Sequence, residues 1–515
     1  MADTFLPSYE AGKLASFFSL APGDTETALK LERPVNRPAL QQALQRYAET
    51  LAAPAAVHAA IAQLEHPQSR AVVTGQQVGV LLGPHYSLSK AVNAISLAKQ
   101  LSRDDAPVIP VFWLASQDHD SEEINHNVLL DLEEQLHHVR LELPQGVAAG
   151  RIAMRESWLH SLVDSLQQLK APASYVHEAI ALLEHSAAKA TTIADWFAAM
   201  LYALLGDQGL VVVNPLEPDI APLFASVLAR EIRCPRTTSL AINHAADRLK
   251  ALHLPAQLGR AEDASNVFLE ENGQRQLLRI RDDGFVSDVQ HYSPEQLLSI
   301  LEQDPSRLTP AAGLRPVCQD VLLPTAVTVV GPGELRYFAQ LREVYRQHDV
   351  AMPLIWPRMQ VTVLEPPVRR ILDKFNLDPQ AWQADPDGQR HALLLELHGH
   401  AQHFQHYLDS LEEHNQALLQ HVRAIDASLE DSVARGAQQL RSIQQRLQRQ
   451  SAAALTKQDN IYTQQLQRLD RHLLPQGTPQ ERILSPFSFF VKFGVRNHIQ
   501  ALLELPVQGQ QALRY

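Results

Sequence analysis

The chain has 515 residues, of which 45% are hydrophobic and 20% charged, and its formal net charge is −12. Length and composition allow a large buried core spread over about three domain-sized units. The acidic balance argues against a broad nucleic-acid-binding face, while leaving room for a small pocket in which a few Arg or Lys side chains hold an anionic substrate.

The first seventy residues read as helical, with Ala- and Leu-rich amphipathic spacing over 38–64. Residues 71–74 form a short apolar run, followed by Gly75, Gly79 and Gly83 and by a helical pattern over 86–101. That is strand, glycine-bearing turn, helix. The run PVIPVFWLA over 107–115 predicts a second strand, buried on both faces of a parallel sheet, and it ends in Ser116-Gln117-Asp118-His119-Asp120. A right-handed crossover between two such strands brings both strand ends to one sheet edge, the edge where ligands bind in open α/β sheets. The spacing therefore predicts that residues 74–83 and 118–123 face a common crevice.

Further along, residues 196–205 read as a helix and 210–213 as a strand ending at Asn214-Pro215. Alternation around Asn272-Gly273 and Asp283-Gly284 predicts a small antiparallel insertion over about 262–295. Apolar runs at 321–324 and 327–331 follow, then a Gly-Pro-Gly turn, a helix over 334–348, and a strand over 352–355 ending at Pro357-Arg358. From 391 to 474 there is no proline, and apolar residues recur at steps of three and four. One straight helix of that length would exceed roughly 100 Å, so an antiparallel pair is expected, breaking near 456–460. The aromatic segment 478–494 is expected to return to the main body.

Two cysteines, Cys234 and Cys318, are too few for a disulfide framework and fit no zinc-ligand spacing. The opening residues lack a basic segment followed by an apolar one, and no run reaches about 18 apolar residues. A cytoplasmic protein with no membrane and no nucleic-acid partner is expected.

Three clusters can carry chemistry. Thr74, Gly75, Gln76, Gln77, Gly79, Gly83, Pro84, Tyr86 and Lys90 form a turn whose backbone N–H groups could meet an anion, or an ordinary tight strand–helix connection. Their spacing matches neither the Walker nor the GxGxxG fingerprint. Asp118, His119, Asp120 and Glu123, with Glu122, Asn125 and His126 nearby, interleave carboxylates with imidazoles. That mixture suits general acid–base work or a divalent cation, and equally a solvated helix N-terminus. No diagnostic ligand spacing is present, so metal is not expected. In the third cluster, Arg315 and Arg358 are candidate carboxylate or phosphate clamps, accompanied by Gln319, Gly331, Gly333, Glu334 and Tyr337. Trp113 closes the strand that leads into the second cluster.

Four strings, VVTGQQVGVLLGPHYSLSKA, PVFWLASQDHDSEEINH, RPVCQDVLLPTAVTVVGPGELRYFAQL and PQERILSPFSFFVKFG, occur in this order. Together they resemble the bacillithiol-biosynthesis cysteine-adding family over nearly the whole chain. One departure is Asn214, where that family usually carries an aspartate. The resemblance implies a Rossmann-type parallel-sheet core with inserted connecting segments, related to class I aminoacyl-tRNA-synthetase-like ligases, and a helical coiled-coil domain that pairs two copies into a homodimer. The implied division is a catalytic core over 1–383, a helical arm over 384–475 and a returning segment over 476–515.

The implied reaction is the last step of bacillithiol synthesis, joining L-cysteine to the amine of glucosaminyl malate. Asp118, His119, Asp120 and Glu123 would then be catalytic, and the residues of the first and third clusters, with Trp113 and Asn125, would bind substrate or nucleotide. Use of ATP to activate the cysteine carboxylate is an analogy to related ligases. The competing classes are a metal-dependent hydrolase built on Asp118, His119 and Asp120, and a non-enzymatic coiled-coil scaffold.

Overall fold

The computed structural model describes residues 4–282, 284–458 and 460–515, with side chains outside 456–461. It divides into two compact units, one running to Val361 and resuming over Glu481–Gln511, the other comprising Thr362–Gln480 and Ala512–Tyr515.

The first unit is built on five strands: β1 (Arg70–Gln76), β2 (Val108–Leu114), β3 (Val211–Val213), β4 (Thr325–Val330) and β5 (Leu354–Pro357). All pairings are parallel and the spatial order is β3-β2-β1-β4-β5. Every residue of β2 and β4 is buried, which is why both sequences read as unbroken apolar runs. Helix α1 (His85–Leu101) connects β1 to β2, and Ala94 and Leu97 on it pack against Val72, Val327 and Leu354 of the sheet. The chain builds outward from β1 in one direction through β2 and β3, then returns to the other side for β4 and β5. The sheet thus has a switch point beside β1, where doubly wound folds bind their ligands.

The insertion is larger than its sequence pattern indicates. Ala264–Glu271, Gln274–Arg281, Gly284–Val286 and His291–Tyr292 are joined by Leu308–Pro310 into a five-stranded antiparallel sheet. Asn272 and Gly273 both have positive φ, the backbone of a tight hairpin turn. Asp283, in the second expected turn, lies outside the described residues.

Two further expectations are corrected. Val321 belongs to helix α2 (Arg315–Leu322), which Pro316 helps to start, and the strand begins at Thr325. The helix expected over 334–348 is two, α3 (Pro332–Phe338) and Arg342–Gln347. Gln340, between them, is fully buried; its Oε1 accepts from the backbone N–H of Gln257 and Leu258 at 2.9 and 2.8 Å. The break thus serves to hold the 257–260 segment.

In the second unit Val368 and Trp382 pack with Leu393, Leu394, Leu466, Leu469 and Leu473. Residues 366–383, placed with the core by sequence, therefore pack with the helical unit. Helices α4 (Ala401–Ile425) and α5 (Glu430–Gln458) form an antiparallel hairpin, and α6 (Asn460–Leu473) follows. The pairs Arg423–Glu430 and Glu412–Arg441 sit symmetrically about the turn. The fold-back between α4 and α5 lies at 426–429, where Asp426 accepts from the Ser428 N–H at 2.8 Å. Residue 459, inside the break expected near 456–460, lies outside the described residues. Among the described residues no helix is long and apolar enough to cross a membrane.

Of the returning segment, Glu481–Gln511 belongs to the first unit, with Phe487, Phe489 and Phe490 fully buried, while 476–480 and Ala512–Tyr515 belong to the second.

Candidate active site

The loop after β1 is shaped by close approach and backbone strain. A Cβ on Gly75 would lie 2.7 Å from the Trp113 carbonyl oxygen, so only glycine lets β1 run this close to the end of β2. Leu81, Leu82 and Gly83 have φ of 51°, 67° and 66°. Left-handed backbone costs a leucine about 1–2 kcal/mol. The conformation is held from outside the loop. Asn127 Nδ2 donates to the Val80 and Gly83 carbonyls, both at 2.8 Å, and the Ser485 hydroxyl donates to the Leu81 carbonyl at 2.8 Å.

The polar run after β2 is equally fixed. The Ser116 hydroxyl donates to Asn214 Oδ1 at 2.6 Å, so Asn214 ties the end of β2 to the end of β3. Asp118 Oδ1 accepts from the N–H of His119 at 2.8 Å and of Asp120 at 3.3 Å, folding the run back on itself. Gln77 then joins the two segments: its amide donates to Asp118 Oδ2 at 3.4 Å and to the Glu123 carboxylate. The predicted convergence of 74–83 with 118–123 is present. Burial, followed by the charges of Asp118 and Asp120, pushes the Glu123 carboxyl above the usual range.

A third wall comes from β4 and its neighbours. Glu334 caps α3 by accepting from the Gly331 N–H at 2.7 Å and takes a 2.6 Å ion pair from Lys90. Lys90 is only 1% exposed, and its other bonds go to the Gly75 carbonyl at 2.5 Å and Gln76 Oε1 at 3.3 Å. All three ammonium donors are used inside the protein. Arg358 is likewise engaged, bidentate to Glu481 at 2.7 and 2.5 Å with both side chains buried, and its guanidinium lies 5.4 Å from the Tyr86 ring centroid. Arg315 differs. Its hydrogen bonds go to neutral groups, Gln319 at 3.0 Å and the Tyr337 hydroxyl at 3.3 Å.

The fourth wall is the antiparallel insertion, which places Phe268 and Arg275 beside His119. These walls enclose a cleft of about 580 Å³. Its lining carries Lys90, Arg260, Arg275, Arg315, Arg358 and Arg482 against Asp118 and Glu334, a cationic pocket in an acidic chain.

Of the residues singled out by sequence, Gly75, Gln76, Gln77, Tyr86, Lys90, Trp113, Asp118, His119, Arg315, Gly331, Gly333, Glu334, Tyr337 and Arg358 line this cleft. Thr74 lies behind it, its hydroxyl bonded to the Val329 carbonyl at 3.0 Å. Gly79, Gly83 and Pro84 shape the loop, and Gln319 supports Arg315. Asp120 caps the short helix Ser121–Ile124. Glu122 pairs with Arg140 at 2.6 Å on the surface, and buried Asn125 donates to Glu122 at 3.4 Å. Cys318 is buried, which pushes its thiol well up. Among the described residues no group of three or more His, Cys, Asp or Glu side chains is placed to hold a metal ion.

Sequence reasoning misses Arg260, Arg275 and Arg482. Arg260 lies in a segment with no local motif, Arg275 follows the Asn272-Gly273 turn and Arg482 stands in the string PQERILSPFSFFVKFG, but only the tertiary fold brings each of them to the cleft.

Residues 4–359 match the family model described as "Bacillithiol biosynthesis BshC, N-terminal Rossmann-like domain", and residues 361–513 match that of its C-terminal coiled-coil domain. A relative from Thermus thermophilus, named "Putative cysteine ligase BshC", is 38% identical over 98% of this chain and 99% of its own length. Relatives of the same name from Salinibacter ruber and Geobacillus kaustophilus are 30% and 28% identical, covering 90% and 97% of this chain and 85% and 95% of their own. The chain belongs to the bacillithiol-biosynthesis BshC family.

Proposed function

We propose that this member of the bacillithiol-biosynthesis BshC family is a cytoplasmic ligase that joins the carboxyl group of L-cysteine to the amine of glucosaminyl malate. One observation carries the reading. The β1 loop, the acid–imidazole run after β2 and a set of cations meet in a single cleft at the sheet's switch point. A dicarboxylate substrate suits that cationic lining, and Arg315, with only neutral protein partners in the hydrogen-bond network, is the best-placed cation to take a malate carboxylate.

The attacking amine must be neutral, and it loses a proton as the amide forms. Asp118, which lines the cleft, would accept it, and Glu123, outside the lining but joined to Asp118 through Gln77, would take the proton on. The raised ionisation of Glu123 favours that role, because a proton acceptor works best when its pKa approaches the working pH. Phosphate groups also fit the cleft: Arg315 and Arg482 line it, and the Arg260 Nε is buried with no hydrogen-bond partner among the described residues. When bound there, ATP would supply the activation of the cysteine carboxylate. The protein's part is to hold the reactants together and to keep the proton acceptor beside the amine.

The helical hairpin supports pairing with a second copy. Leu418, Ile425, Leu429, Leu440, Ile443 and Leu447 remain exposed along α4, the turn and α5. A Leu440→Glu/Leu447→Glu variant should sediment as a monomer where the parent sediments as a dimer. A monomeric parent would remove the pairing.

Mass spectrometry of a reaction containing cysteine and glucosaminyl malate, with and without ATP, tests the reaction. The expected result is an amide product that depends on ATP. Asp118→Asn, which keeps the turn-forming oxygen, and Glu123→Gln should each slow it by about 100-fold or more if the carboxylate is the base. No amide from folded protein under either condition would end the reading.

A further inference from the structure

The strongest unassigned feature is the contact between the insertion and the catalytic run. Arg275 Nη1 lies 2.9 Å from His119 Nδ1. A guanidinium has donors and no acceptor, so the bond has one possible direction: Arg275 donates and Nδ1 offers its lone pair. A neutral imidazole that accepts at Nδ1 carries its proton on Nε2.

Arg275 cannot readily turn away. Its Nε donates to the Thr309 hydroxyl at 2.8 Å, and its Nη2 to the Pro310 carbonyl at 3.0 Å. Its guanidinium lies 3.7 Å from the centroid of the Phe268 ring, which also flanks His119 with ring centroids 5.6 Å apart. Two strands of the insertion, Ala264–Glu271 and Gln274–Arg281, together with Leu308–Pro310, thus clamp the guanidinium on three sides.

We propose that Arg275 is a positioning residue that locks His119 as the Nε2–H tautomer, making it a hydrogen-bond donor to an anionic oxygen in the cleft and not the proton acceptor of the reaction. The charged groups around the imidazole are Arg275 from the insertion and Asp118 and Asp120 from its own run. Burial, then Arg275, lowers its pKa, and the two aspartates oppose them. The balance keeps the ring neutral, the state in which Nδ1 can accept. A neutral imidazole donor polarises an oxygen without first having to lose a proton.

The donor role rests on the ligase reading; the tautomer does not. Long-range proton–nitrogen spectra of 15N-histidine-labelled, full-length protein, with His119 identified by its loss in His119→Asn, read the tautomer without turnover. The expected signature is an unprotonated Nδ1 and a protonated Nε2 from pH 6 to 9. Arg275→Met should give a tautomer mixture and a higher His119 pKa. Arg275→Lys, still a donor, should restore the parent signature.

Titration with inorganic phosphate in one arm and L-malate in the other should shift the His119 Nε2 resonance in at least one, and shows which oxyanion it meets. In turnover, His119→Ala should lower kcat by about 100-fold, the scale of one lost oxyanion donor. Arg275→Met should lower kcat less, with partial recovery in Arg275→Lys. A proton on Nδ1 in the parent, an unchanged tautomer in folded Arg275→Met, or no response to either anion overturns the proposal. If the tautomer is as expected and no amide ever forms, the ligase reading fails while the tautomer lock stands.

Discussion

Glu481→Gln tests whether Arg358 is a strut of the fold. Arg358 is 4% exposed and Glu481 7%, so neither charge can recruit much water when the other is removed. The pair makes two charge-assisted bonds, at 2.7 and 2.5 Å, each worth about 1.5–3 kcal/mol. Removing the carboxylate charge also leaves a buried guanidinium near Lys90. Breaking a buried pair on one side costs about 3–5 kcal/mol, which falls within the about 3–6 kcal/mol of two charge-assisted bonds. Urea unfolding followed by tryptophan fluorescence should report that loss, since Trp113, Trp158, Trp196 and Trp356 all lie in this unit. Replacing both partners, Arg358→Met with Glu481→Leu, should recover most of it, because two apolar side chains leave no charge stranded. A loss below about 1 kcal/mol in Glu481→Gln, coupled with a raised KM for the anionic substrate, would instead make Arg358 a substrate clamp.

Other perturbations probe the loop and a half-buried carboxyl. Asn127→Ala takes the side-chain donor from the Gly83 carbonyl, while the Val80 carbonyl keeps the Gly83 N–H at 3.0 Å, and should cost about 1–3 kcal/mol, the scale of one unsatisfied group. Its thermal unfolding would tell, and an unchanged melting temperature would mean that the loop holds its left-handed residues unaided. Gly75→Ala drives a methyl group to 2.7 Å from the Trp113 carbonyl, so folded protein should lose about 1–3 kcal/mol and much of its activity; a fully active variant would deny the close approach. Glu217 is pushed up to about 7, chiefly by burial and then by Asp195. A carboxyl raised in the folded state contributes stability below its unfolded value of 4.5, and that contribution is lost as pH climbs through about 7. Glu217→Gln should therefore match the parent near pH 5 and exceed it at pH 8 in thermal unfolding. A difference that does not change with pH would refute the shift.

The parts of the fold legible in the sequence are those written in short-range pattern. β2 and β4 announce themselves because burial on both faces demands unbroken apolar runs, and Gly75 because β2 passes so close to β1. From those alone, the convergence of Gln77 with Asp118 and Glu123 follows by crossover handedness. The hairpin turn of the arm escapes sequence reading for a related reason. Asp426 caps a new turn within an otherwise uninterrupted helical pattern, and one such residue is a weak signal beside the polar stretch at 456–460. Glu481 is legible only in retrospect. It sits 123 residues from Arg358, and no local periodicity links two halves of a buried ion pair.

The cleft's cations separate into two groups, and the separation bears on how a pocket like this can bind anions. Lys90 and Arg358 are satisfied by Glu334 and Glu481, which makes them supports of the wall. Arg315 and Arg275 are held by neutral hydroxyl, amide, imidazole and carbonyl groups, which orient a guanidinium without cancelling its charge. Orienting a charge through neutral partners costs folding stability, since burial lowers Arg275 to about 10. In exchange the field inside the cleft is fixed before substrate arrives and needs no rearrangement on binding. An acidic protein whose overall charge repels dicarboxylates and phosphates would need such a device, because attraction must then come from a few fixed charges acting at short range.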